Sequence, residues 1–399
     1  MFCLIAMPVV FTLCQPAYSE TKQTAVIATV SPDWTSGSYS IASVDPVGGP
    51  RTFQNKLGST KSDLTVTAYG KFFYIFERFG ANNITKYSIE EPDKPIWQFS
   101  TEGDETNSNP YDLIFVNEKK AYLLRYGSDK AWIVNPSATT EAAFKIGELD
   151  LSAYNDTDGA PNMSAGVIVD EKLYITLQRA DLTVWPVTHD EPYIAVFDTA
   201  TDEEIDTQNC NCDQMGILIS EIKNPTSIQY LAENDRIYVQ GVGDWDGATD
   251  EDSGGIVRIN PHTYQTDLVI ADDPEYGVVS GMAIISQDKG YFVGYAGWGD
   301  NTLYTFDPSC GCDINPVDGF ENISIYGFDL GVQPDQNNML WVCNQTNFRV
   351  DIINTETDAI DESIATELNP VKVVFAEGEP DMWDEGGGGD SGCFISSLR

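Results

Sequence analysis

Apolar positions along the chain follow the two-residue period of β-strands, in short runs separated by turn residues, and stretches at helical spacing are scarce. Six segments close an apolar run with Asp or Asn and then Pro or Thr. They are SIASVDP (40–46), AWIVNP (131–136), YIAVFDTAT (193–201), GIVRINPHT (255–263), LYTFDPS (303–309) and VDIINTET (350–357). A weaker copy is ITKYSIEEP (84–92). Four of the intervals between copies are 45 to 47 residues, and the two of 62 and 63 flank units carrying insertions. A fixed period of this kind marks a repeat architecture.

An aromatic strand precedes most of these segments: KFFYIFERF (71–79), KKAYLLRY (119–126), EKLYITLQR (171–179), DRIYVQGVG (235–243), KGYFVGYAG (289–297) and NMLWVCNQ (338–345). Before each lies a further apolar run, such as NPYDLIFV from 109. One unit is therefore an inner strand, a turn, an aromatic strand, a loop, the Asp/Asn strand and a variable outer strand. Such units predict four-stranded antiparallel blades. The first unit starts at AVIATV (25–30), already its second strand, and the missing piece stands at the other end. There NPVKVVFAE (369–377) matches NPYDLIFVNE (109–118). Pairing the two ends removes the exposed sheet edges. The expectation is an all-β, seven-bladed β-propeller over 20–380, its ring closed by the C-terminal strand completing blade 1.

The segment LWVCNQTNFRVDIINTETDAIDESIATELNPVKVVFA (340–376) resembles the YVTN-type β-propeller repeat, and YIAVFDTATDEEI (193–205) is similar to its middle part. The resemblance implies a propeller of the kind often found in surface or periplasmic proteins, and implies no particular ligand.

Charge narrows the partners. The 399 residues hold 62 Asp and Glu against 22 Lys and Arg, a net charge of −40. Such a surface repels phosphate backbones and anionic lipid, and suits cations, sugars or a basic partner. The opening MFCLIAMPVVFTLCQPAYSE reads as a signal peptide over 1–19, with Ala17 and Ser19 at the small positions before cleavage. No other segment has the length of a membrane span. The expected location is periplasmic, outer surface or extracellular, where disulfides are permitted.

Loops joining second and third strands share one face of such a ring. Trp34, Arg78, Arg125, Arg179, Trp245, Trp298 and Asn344 fall there, rings and guanidinium groups suited to a sugar, peptide or carboxylate. The run DWDGATDED (244–252) offers Asp244, Asp246, Asp250 and Asp252 as hard ligands for Ca²⁺, with DTDG (156–159) a shorter echo; a solvated acidic loop is the alternative. CNCD (210–213) and CGCD (310–313) follow third strands at the rim. Cys210 with Cys212 and Cys310 with Cys312 read first as local disulfides and second as soft-metal ligands. Cys343 reads as a buried small hydrophobe. A Gly-rich spacer opens the tail 381–399, whose Gly-Cys-Phe-Ile resembles the glycine-rich tails of some exported bacterial proteins. That resemblance implies processing or surface attachment through Cys393.

Only His189 and His262 are present, and both read as structural. A Ser-His-Asp or metal-His centre is correspondingly hard to build. The reading is a non-enzymatic binding propeller for a protein or carbohydrate. Two alternatives stay open: a Ca²⁺-dependent hydrolase or lactonase using carboxylates in the channel, and a soft-metal protein acting through its Cys-x-Cys pairs.

Overall fold

The computed structural model describes residues 22–378 apart from 105, 186, 211–212, 245–252, 298–299 and 324–332. The signal segment, the tail, Trp245, Trp298, Asp246, Asp250, Asp252, Cys212 and Cys393 lie outside the described residues.

Seven four-stranded antiparallel sheets follow one another around a ring, and the only helix among the described residues is two short 3₁₀ turns. In blade 3, Pro110–Asn117 is innermost, followed outward by Lys120–Arg125, Lys130–Val134 and Lys145–Asp150. Blade 1 is completed as expected: Gln23–Val30 pairs with Gly37–Ser43 on one side and with Asn369–Glu377 on the other. Among the described residues, blade 4 carries the one addition to the pattern. Between its strands Lys172–Leu177 and Tyr193–Asp198, a small hairpin pairs Ala180–Asp181 with Thr188–His189.

The second strands are apolar on both faces because each sheet packs against a neighbour on either side. Phe73, Tyr74, Ile75 and Phe76 are all buried, the first and third facing blade 1 and the others facing blade 3. Full burial of such a side chain stabilises by about 1.5–3 kcal/mol.

The repeated Asp or Asn has a local cause. In blades 3 to 7 its side-chain oxygen caps the turn that follows, accepting the backbone N–H two residues on and, in blades 4, 5 and 7, also the one three residues on. Asp198 Oδ1 accepts from Ala200 and Thr201 at 2.9 Å. Asn354 Oδ1 accepts from Glu356 at 2.9 Å and Thr357 at 3.2 Å. This is the Asx-turn, for which Asp and Asn are suited.

These turns also hold the ring together. The second strands of blades 3, 4 and 6 begin Lys-x-Tyr, and each pair reaches the capped turn of the next blade. Lys120 Nζ and Tyr122 Oη donate to Asp202 at 2.8 and 2.5 Å. Tyr174 Oη donates to the Pro261 carbonyl at 3.1 Å, and Lys172 Nζ reaches Tyr264 Oη at 3.1 Å. Lys289 and Tyr291 both grip Asp358.

Candidate functional site

The turns just described lie on one face of the ring. The loops joining second to third strands, together with the links from each outer strand to the next inner strand, make the opposite face, here called the loop face. The arginines predicted for ligand contact lie there, but the fold turns most of them inward.

Arg125 ends a second strand and is fully buried. Its Nε donates to the Thr101 carbonyl and its Nη2 to the Glu102 carbonyl, both at 2.9 Å, while Nη1 reaches Ser128 Oγ at 3.0 Å. The guanidinium lies 4.4 Å over the Trp132 ring. It binds the preceding link to its own blade. Arg179, at a φ of 52°, donates from Nε to the Tyr154 carbonyl and from Nη1 to the Glu191 carbonyl, both at 2.9 Å, fixing the base of the blade 4 hairpin. Asn344 is buried, with Nδ2 donating to Asp351 Oδ2 at 2.8 Å. The two arginines orient backbone because the carbonyls of the preceding link lie within their reach, and Asn344 fixes its own blade through Asp351.

Arg78 is different. It pairs with Asp63 at 2.7 Å and lies 4.7 Å over the Tyr111 ring, which stacks on Tyr126 at 4.6 Å. Tyr126 donates to Gln178 Oε1 at 2.7 Å, and Gln178 Nε2 donates to the Pro225 carbonyl at 3.0 Å. A continuous row thus crosses blades 2 to 5 on the loop face. Burial pushes the Tyr126 hydroxyl well above the ordinary phenol range, so it acts as a donor.

Beside this row stand three carboxylates, two from the DTDG link and one from the hairpin. Asp156 is pushed up to about 7, first by burial and then by the neighbouring Asp158 side chain. Its Oδ2 is buried without a hydrogen-bond partner. Asp158 accepts backbone N–H groups of Ala160 and Leu182 at 3.0 and 3.3 Å. Asp181 is held low by hydrogen bonds from Thr183 and Thr157. Further round the face, Asp244, the described member of the acidic run, pairs with Lys223 at 2.9 Å, and His189 Nε2 lies 3.9 Å from its other oxygen.

Half of the large apolar side chains exposed among the described residues belong to second-to-third-strand loops: Trp34, Phe79, Leu182, Val184, Trp185 and Phe348. Trp185 is 81% exposed and Phe79 68%. Trp34 is legible in the sequence as a loop-face residue. The hairpin tip is not, because its apolar residues resemble a strand; the lengthened interval between repeats is the only signal of an insertion.

At the rim, Cys310 and Cys312 are joined in a disulfide across the turn between Asp300–Asp307 and Cys312–Pro316, and Cys210 is also disulfide-bonded. A sulfur held in a disulfide offers no thiolate to a soft metal. Cys343 is a buried thiol, pushed up by burial.

No protein-family model matches the chain, and no curated protein matches it in sequence. Its fold is similar to several solved propellers. The periplasmic gluconolactonase PpgL of Pseudomonas aeruginosa aligns with a TM-score of 0.60 and 11% identity, over 89% of this chain and 99% of that one. Hydrazine synthase of Kuenenia stuttgartiensis aligns at 0.55 and 12% identity, over 78% and 88%. AztD of Citrobacter koseri aligns at 0.52 and 13% identity, over 90% and 99%. At these identities the likeness is one of architecture, and it places the chain among the β-propellers.

Proposed function

We propose that this chain is an exported, non-enzymatic propeller whose loop face binds a partner protein. One observation carries the reading: exposed large apolar side chains gather in the loops of that face, with Trp185 raised on a hairpin present in blade 4 alone among the described residues. Aromatic groups on a folded surface with polar surroundings are the anchors of interfaces. The YVTN-like repeat and the signal segment support export, and the net charge of −40 favours a basic partner surface. No helix among the described residues is long and apolar enough to cross a membrane.

The test places a photo-crosslinking residue at Trp34, Phe79 or Trp185, and in parallel at Leu268 or Ile360 on the outer strands, in the cells that make the protein. The expected result is one discrete protein adduct from the loop-face positions, none from the rim, and its loss on Trp185→Ser. Equal labelling from both sets overturns the reading, as does a glycan that binds the face without any protein adduct.

A second reading is favoured by the three carboxylates of the loop face. A carboxyl raised to about 7 beside two others suits Ca²⁺-assisted hydrolysis. Ca²⁺-dependent opening of a lactone, lost in Asp156→Asn, is its signature.

A further inference from the structure

On the face opposite the loop face, three metal-ligating side chains from two blades converge. Asp170 stands in the turn between Met163–Val169 and Lys172–Leu177 of blade 4. Asp235 stands in the equivalent turn of blade 5, between Pro225–Leu231 and Arg236–Gly241. His262 comes from the capped turn after Gly255–Ile259. One ligand atom from each lies within 4.8 Å of the other two. We infer that Asp170, Asp235 and His262 form a binding site for a zinc-class divalent cation, bridging blades 4 and 5.

The surrounding groups support this. His262 Nε2 and Asp235 Oδ2 are 2.8 Å apart, and Tyr230 Oη donates to Asp235 Oδ1 at 3.0 Å, orienting that carboxylate. The backbone N–H of His262 donates to Asn260 Oδ1 at 2.8 Å, so the same kind of Asx cap seen at Asp198 and Asn354 fixes the histidine turn. Outer groups that hold a ligand in place are a regular part of metal sites. Asp170 and Asp235 both sit at positive φ, 48° and 54°, in equivalent tight turns of adjacent blades. Lys172 is engaged by Tyr264 Oη, and Arg236 donates to the Asp235 backbone carbonyl at 2.7 Å rather than to its carboxylate. Among the described residues no lysine or arginine pairs with either carboxylate, so with a neutral imidazole the cluster carries two negative charges.

Chemistry selects the cation. An imidazole with two carboxylates suits Zn²⁺ or its first-row neighbours, whereas Ca²⁺ takes oxygen ligands. Zinc bonds of about 2.0–2.2 Å put ligand atoms roughly 3.3–3.5 Å apart in a tetrahedron. His262 and Asp235 would open slightly and Asp170, an exposed side chain, would close in. The fourth position is left for water or for a donor from outside the chain.

The site is tested by titrating the chelator-stripped protein with Zn²⁺ in millimolar Mg²⁺, which occupies indiscriminate carboxylates. Binding is read by calorimetry and by the visible d–d bands of Co²⁺. The expected result is one tight equivalent with a tetrahedral Co²⁺ spectrum. Asp235→Asn and His262→Ala should each weaken it about 100-fold or more, since even outer groups of such sites are worth 10- to 100-fold. His189→Gln should leave it intact. In that variant His262 supplies the only histidine ring signals, and one equivalent of Zn²⁺ must shift them. Absence of a saturable equivalent, retention of it in His262→Ala, or loss of it in His189→Gln overturns the inference. His262 is exposed, whereas Asp235 is half-buried and the His189 side chain buried, so folding of all three variants is checked by an unchanged thermal transition.

Discussion

Asp156 shows how the loop face changes the behaviour of a single residue. A carboxyl whose ordinary value is near 3.8 is raised to about 7 by burial and by the Asp158 side chain. The folded state then holds a proton that the unfolded state gives up. The stability associated with that proton is complete below about pH 4 and is lost as the pH rises through about 7. Asp156→Asn cannot ionise, so it should escape this loss. After discounting for the part-exposed position, the variant is expected to match the wild type at about pH 4 and exceed it by about 1–2 kcal/mol at about pH 8. Urea unfolding at the two pH values checks this, and equal slopes with pH for both proteins would show that the carboxyl titrates normally. Arg125 illustrates the opposite case. The sequence places it beside a loop in a chain poor in cations, which is why it reads as a ligand group. Its direction is decided by the carbonyls of Thr101 and Glu102, more than twenty residues earlier, and no local pattern announces them.

At the level of the element, the legible features are those whose cause is local. The Asp or Asn after the third strand of blades 3 to 7 is visible because it caps its own turn, and that one residue type supplies most of the period from which the blades are counted. Lys-x-Tyr at the start of a second strand is equally visible, but its partner is in the next blade. Its role as a latch appears only once Lys120 and Tyr122 are seen on Asp202, and Lys289 and Tyr291 on Asp358. Removing the shared acceptor should therefore cost more than a surface ion pair, because a half-buried ammonium loses its counter-charge while a buried phenol loses its acceptor. Asp202→Ala is expected to destabilise by about 2–3 kcal/mol, and by clearly more than Glu367→Ala, which breaks the exposed, solvent-screened pair with Lys56. Denaturant midpoints at constant m-value measure the contrast, and equal losses would remove the latch from the account. The hairpin of blade 4 is hidden for a different reason: its short strands pair with each other and match no strand of the repeat, so only the lengthened interval signals it.

For the whole molecule the decisive element is the last strand. Asn369–Glu377 pairs along the full length of Gln23–Val30, from Gln23 opposite Glu377 to Val30 opposite Asn369. Its side chains serve both neighbours. Val373 is fully buried with Ala25, Ile27 and Trp341 toward blade 7, while Ala376 is fully buried with Val26, Val66 and Phe73 toward blade 2. The strand is fastened beyond its ladder as well: Gln345 Nε2 donates to the Pro370 carbonyl at 3.1 Å, and the Glu377 N–H to the Gly70 carbonyl at 2.8 Å. Without it, the apolar faces of blades 1 and 7 meet water, and the second strand of blade 1 becomes an open edge. A chain carrying 40 excess negative charges also repels itself, and closure is what opposes that tendency to open. Val373→Asp, which places a carboxylate in this seam, is expected to cost more than about 4 kcal/mol. A chain ending at Leu368 should lose its cooperative thermal transition, and the peptide 369–378 added in trans should restore it in a concentration-dependent way. Unchanged cooperativity in the shortened chain, or a peptide without effect, would mean that the remaining blades hold the ring by side-to-side packing alone.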